Sequence, residues 1–141
     1  MRTKKMKNHS ILLITAILLT IVIGLTSCTK KIYFLNSSVV PAAQGSITVK
    51  NDKNNNYVVQ LTVSNLAAIE RLQPPSNSYV VWIESDGGNA KNVGKVVSSN
   101  NLNVSFETLS SFRPTKVFIT AEEDEQTRYP GSVVVLTTAR F

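Results

Sequence analysis

Beyond residue 28 the chain contains neither histidine nor cysteine, since His9 and Cys28 are the only ones it has. That absence excludes Ser-His-Asp and Cys-His nucleophilic catalysis from the rest of the chain. It also excludes Cys/His zinc sites and haem held through histidine or cysteine. Without disulfides the fold must rest on its core alone, which about 100 residues can supply because folding then buries above roughly 60% of the chain's surface. A concentrated charge of one sign is missing too. Lys+Arg number 15 against nine Asp+Glu, but Arg2, Lys4, Lys5 and Lys7 lie in the first seven residues, which leaves 11 against nine. Those 11 are scattered along the sequence, which is not the clustered basic pattern of a nucleic-acid binder. Helical periodicity over ten or more residues is also lacking after residue 28.

The N-terminus carries the clearest signal. Basic "MRTKKMK" is followed by an uncharged run from Ile11 to Leu25. This run is shorter than the roughly 20 residues of a membrane span, and it has the order of an export signal. The run closes on Leu25-Thr26-Ser27-Cys28, which resembles the bacterial lipobox, whose cysteine becomes the first mature residue and receives a diacylglycerol. Lipidation would consume a thiol that has no internal partner, and two or three acyl chains anchor far more firmly than one. The alternative is an uncleaved anchor with an incidental cysteine. Residues 1–27 are therefore expected to be a signal peptide and Cys28 the lipid attachment site. Residues 28–45 read as a tether of up to about 56 Å at roughly 3.3 Å per residue, although "IYFL" is apolar for a linker and suits either a short strand or a patch at the bilayer surface. Thr29 is not the aspartate that resembles an inner-membrane retention signal, so the outer membrane is favoured where the cell has one.

From residue 46 the pattern is β. "SITVK" and "YVVQLTVS" flank "NDKNNN", whose Asn and Asp residues suit a hairpin turn. Val59, Leu61 and Val63 alternate with polar residues, giving one buried face. "LAAIERL" suits a helical turn stopped by Pro74 and Pro75. "YVVWIES" is apolar throughout, as in a strand covered on both faces. "DGGN" turns the chain, and "VGKVVS", "LNVSFET", "KVFITA" and "SVVVLTT" complete about seven strands. The expectation is an all-β fold, one Ig-like antiparallel sandwich over residues 46–141.

"YVVWIESDGGNAKNVGKV" and "VFITAEEDEQTRYPGSVVVLT" together resemble the extracytoplasmic C-terminal domain of the anti-sigma-K factor family. The matching positions are Tyr79, Trp82, Asp86, Gly87, Gly94, Thr120, Glu122, Pro130, Val134, Val135 and Leu136, within residues 44–138. The resemblance implies a sandwich outside the cytoplasm. It does not imply sigma-factor inhibition, because the family's cytoplasmic domain and transmembrane helix have no counterpart here. A glycine-rich loop of the family is replaced by "EDEQTRY".

The densest polar cluster is Glu122, Glu123, Asp124 and Glu125, followed by Arg128 and Tyr129. Four carboxylates suit calcium, but the spacing of a calcium loop is absent, so a solvated hairpin loop is expected and no metal or cofactor. Glu84, Asp86 and Glu107 are the carboxylates from which a glycosidase-like pair would have to come. Trp82 and Tyr79 are candidates for stacking on a sugar, with a core tryptophan the better account of Trp82. Asn36 and Asn103 begin glycosylation sequons that a bacterial lipoprotein has no use for. The functional expectation is a non-catalytic, lipid-anchored binding or sensing module of the bacterial envelope, with an envelope protein or surface polymer as partner. The loop residues 122–125, 128 and 129 are its binding candidates. The alternatives are a structural or assembly subunit acting through a sheet edge, and a small carboxylate-dependent hydrolase.

Overall fold

The computed structural model describes residues 29–97 and 103–141, so the expected signal peptide and Cys28 lie outside the described residues. Eight strands follow in order: β1 (Lys31–Tyr33), β2 (Gln44–Asn51), β3 (Tyr57–Ser64), β4 (Ser78–Glu84), β5 (Ala90–Val96), β6 (Val104–Ser110), β7 (Lys116–Glu122) and β8 (Val134–Thr137). They form two four-stranded antiparallel sheets, ordered β1-β2-β3-β6 and β5-β4-β7-β8. The chain is thus an all-β sandwich. It changes sheet between β3 and β4, between β5 and β6, and between β6 and β7.

Alternation decides which side chains meet between the sheets. Val59, Leu61 and Val63 of β3 face Tyr79, Val81 and Ile83 of β4 and Val117, Ile119 and Ala121 of β7 in one buried cluster. The β2–β3 turn forms because Asp52 accepts hydrogen bonds from the Asn54 and Asn56 amides (both 2.8 Å), while Asn55 takes φ of 61°, a conformation asparagine tolerates. The bonds from Asn56, side chain first, hold the Asp52 carboxyl below its usual pKa. "LAAIERL" supplies one 3₁₀ turn, Ile69–Arg71.

The segment read as a tether is instead part of the fold. β1 adds to the edge of β2, pairing Lys31 with Thr48 and Tyr33 with Ser46. Phe34 then bridges to Thr138, the Leu35 amide donates to the Thr137 carbonyl (2.8 Å), and the Ser37 hydroxyl donates to the Val135 carbonyl (2.6 Å). Residues 34–37 therefore strap one sheet to the other along the β1/β8 side, and Val40 and Ala43 enter the core. Ile32 and Phe34 pack against the core while Tyr33 and Leu35 stay exposed, and the domain begins near residue 31, not at 46.

Distinct ends follow from the register. The β2–β3 turn, the β4–β5 turn, the β6–β7 loop and the C-terminus share one end, because Tyr57 pairs with Ser110 and Glu84 with Lys116. The β3–β4 connection and the feet of the β7–β8 loop share the other, where the Asn77 amide donates to the Glu122 carbonyl (3.0 Å), while residues 125–128 of that loop reach back over the outer face to Asn92.

Candidate functional site: the β7–β8 loop

β4 is buried on both faces. Its inward residues join the core, while Val80 and Trp82 point to the outer face and form a second cluster with Phe118 and Ala90. Trp82 has 0% exposure, as a core residue would, but it lies outside the space between the sheets. Its ring stacks on Phe118 at 6.2 Å and 12°, and its Nε1 donates to the Thr120 hydroxyl at 2.7 Å. An outward face this dry needs a cover, and the β7–β8 loop, residues 123–133, supplies it.

Long-range bonds fix that loop over the sheet. The Thr120 hydroxyl donates to Glu122 Oε1, and the Gly131 amide donates to the same oxygen at 2.7 Å. A Cβ at residue 131 would stand 2.7 Å from Glu122 Oε2, so glycine admits the close approach. Across the sheet, Asn92 Nδ2 of β5 donates to the carbonyls of both Glu125 and Thr127, each at 2.9 Å. Asn92 sits where β5 bulges opposite Val81 and Trp82, and its Oδ1 accepts from the Gly94 amide (3.0 Å). Lys95 adds an ion pair to Glu125, and Asn77 Nδ2 donates to the Glu123 carbonyl at 3.1 Å.

Sequence reasoning placed Glu122, Glu123, Asp124, Glu125, Arg128 and Tyr129 on one solvated loop. The structure puts five of them on one loop, with Glu122 the last residue of β7, and separates their roles. Glu122 and Glu125 face the scaffold and fasten the loop. Glu123, Asp124, Arg128 and Tyr129 are exposed, Tyr129 at 81%. Asp124 is spent in part on its own turn, its Oδ1 accepting from the Gln126 amide at 2.9 Å. Among the described residues no three acidic groups converge on a point where a metal ion would sit. Beside the loop, Asn92 and Lys91 of β5 and residues 125–128 line an open depression of about 440 Å³. The fastening residues Asn92 and Lys95 gave no sign in the sequence, because their partners lie 30 to 35 residues away.

The remaining candidates fall apart spatially. Glu84 lies on the outer face of β4, bound to Arg140 and within 3.9 Å of Lys116. Glu107 lies on the outer face of the other sheet, accepting from Gln60 Nε2 at 2.6 Å. Packed sheets stand about 10 Å apart before side chains are added, so these two cannot flank one scissile bond as a carboxylate pair does at roughly 5–10 Å. Asp86 is in the exposed β4–β5 turn. Tyr79 is buried and its hydroxyl donates to the Ala67 carbonyl at 2.9 Å; burial, with the Glu70 charge second, pushes its pKa up to about 12. Neither Tyr79 nor Trp82 offers a ring face to a sugar. No family model, curated protein or solved structure matches the chain, and the resemblance to the anti-sigma-K domain receives no support from them.

Proposed function

We propose that the protein is a non-catalytic binding module of the bacterial cell envelope, held by lipid at Cys28, which engages an envelope protein or surface polymer through its β7–β8 loop. One observation carries this reading: Arg128 and Tyr129 stand exposed on a loop whose flanks are bonded down to Asn92, Lys95 and Thr120. Binding loops are mobile as a rule and lose affinity on ordering; this one is ordered beforehand. Tyrosine and arginine are also the residue types on which interface energy concentrates. The lipobox and the short exported chain supply the envelope setting, as the anti-sigma-K-like strands do.

A photo-crosslinking residue placed at Tyr129 in growing cells tests the reading, with the same residue at Glu107 as control. The expected result is one discrete adduct from position 129, lost when Glu123 and Asp124 are changed to Lys, while the thermal midpoint stays within a few degrees because exposed charges contribute little to folding. Adducts equal at both positions, or turnover of a glycoside, ester or peptide by the purified protein, would refute it. A second reading, assembly by strand addition, rests on β6, a seven-residue strand whose only ladder partner among the described residues is β3. An adduct from position 107 alone would favour it.

A further inference from the structure

Cations that look scattered in the sequence are gathered by the fold. Lys50 and Lys53 flank the β2–β3 turn, Arg113 lies in the β6–β7 loop, and Lys91 stands beside the β4–β5 turn. Lys116 and Arg140 reach the same end, where they neutralise Glu84. With Lys30 and Lys31 this end holds eight of the 11 cations beyond residue 28, against Asp52, Glu84 and Asp86 alone. The opposite end carries Glu70, Glu122, Glu123 and Asp124 against Arg71 and Lys95, while Glu125 and Arg128 lie between the two, where the β7–β8 loop runs back over the outer face to Asn92 and Lys91. The sandwich is thus polarised along its strands, with a net excess of cations at one end and of acids at the other.

The chain also enters at the basic end. β1 runs antiparallel to β2, so going back from Lys31 leads toward the β2–β3 turn. Cys28 is three residues before Lys31, which limits their separation to about 10 Å at roughly 3.3–3.6 Å per residue. Three residues of β2 extend beyond the Lys31 register, from Thr48 to Asn51, a similar distance. The described chain therefore starts from the flank of the basic end, and no path can carry position 28 farther than about that distance from Lys31.

We propose that the basic end is a seat for an anionic lipid surface, so that the sandwich stands on the bilayer with its strands along the membrane normal and the β3–β4 connection outward. The proposal rests on lipidation of Cys28 for the anchoring, but the charge distribution is independent of it. A basic cluster beside an anionic leaflet gains about 1 kcal/mol for each cation near the surface, a factor of about five. With its lipid so close to the fold the domain cannot swing clear of the headgroups. A surface polyanion would meet the same charges but would not account for the exit of the chain at this end.

The chain has no thiol other than Cys28, so a cysteine introduced as Asn54→Cys in the β2–β3 turn, or as Ser64→Cys at the exposed far end of β3, takes a fluorophore at one known end. The lipidated protein, purified from membranes, is placed in phosphatidylcholine vesicles with or without phosphatidylglycerol, each containing a headgroup nitroxide quencher. On phosphatidylglycerol vesicles the label at 54 is expected to be quenched and that at 64 spared. High salt, which screens exposed charge, or Lys50, Lys53 and Arg113 changed together to Gln should remove most of that difference. Equal quenching at the two positions, or a difference indifferent to salt and to the triple change, overturns the proposal. Mass spectrometry of the same preparation reports on the lipid separately. Protein without lipid that still sediments with phosphatidylglycerol vesicles and not with phosphatidylcholine alone removes the anchor and keeps the basic seat; no preference in either form removes the seat.

Discussion

Replacing Trp82 by alanine tests whether the outer face of β4 is a second core or a mere surface strip. A buried tryptophan removes roughly 150–250 Å² from water, which at about 25 cal/mol/Å² amounts to about 4–6 kcal/mol. Measured losses for Trp→Ala in cores run at about 3–5 kcal/mol. The lower part of that range is expected here, because the void is roofed by a loop that can settle into it. Thr120 loses its indole donor but keeps Glu122 as acceptor, so no buried polar atom is stranded. With a urea dependence of about 1.5 kcal/mol/M, a loss of about 3 kcal/mol moves the midpoint down by about 2 M. Trp82 is the sole tryptophan, so unfolding must be followed by far-UV circular dichroism. Trp82→Phe separates the two contributions: it keeps an aromatic ring against Phe118 and loses the hydrogen bond, about 1 kcal/mol, plus part of the volume. If the alanine variant loses less than about 1 kcal/mol, the loop does not seal this face and Trp82 returns as a ligand platform.

Tyr79→Phe should lose about 1 kcal/mol with its bond to the Ala67 carbonyl and also flatten the alkaline limb of stability. Since the folded pKa of about 12 lies above the unfolded value near 10, the wild type loses stability as pH rises through that window, and urea midpoints across it should fall for the wild type alone. Gly94 has φ of 134°, and a Cβ there would meet the Phe106 ring at 3.2 Å, so Gly94→Ala should cost about 1–3 kcal/mol; an unchanged thermal midpoint would contradict the bulge. A chain shortened to begin at Gly45 should lose at least about 3 kcal/mol with Val40, Phe34 and β1 and should self-associate through the bared β2 edge; equal urea midpoints for the short and mature chains would restore the tether.

The strands from β2 to β8 were legible because each carries its own pattern, an alternation or an apolar run bounded by Asn, Asp, Gly or Pro. β1 was legible only as one of two readings of "IYFL", because a three-residue strand has no period of its own. Its hydrogen bonds come from β2, some 15 residues on. Tyr79 to Ile83 announced a strand covered twice, but not what would cover it. Similarly, "EEDEQTRY" was recognisable as a loop, while its fixation depends on Asn92 and Lys95, single residues of another hairpin. The gathering of basic residues was invisible for the same reason: antiparallel pairing brings Lys50, Lys91 and Arg113 to one end although some 20 to 40 residues separate them in sequence.

Folding the supposed tether into the sandwich changes what the proposed anchor can do. A flexible linker of 17 residues would let the domain wander and would dilute any site it carries. With only Thr29 and Lys30 between Cys28 and β1, the reach is set by the strands instead. An eight-residue strand at about 3.4 Å per residue spans roughly 27 Å, so on the proposed seating the β3–β4 connection stands about that far from the headgroups. The β7–β8 loop does not: it is rooted at Glu122 at the far end, but residues 125–128 lie back over the outer face beside Asn92 and Lys91. The orientation is therefore carried by the cations at the rim. In the reverse one Glu70, Glu122 and Glu123 would be set against the anionic headgroups, and the eight cations would face away from them.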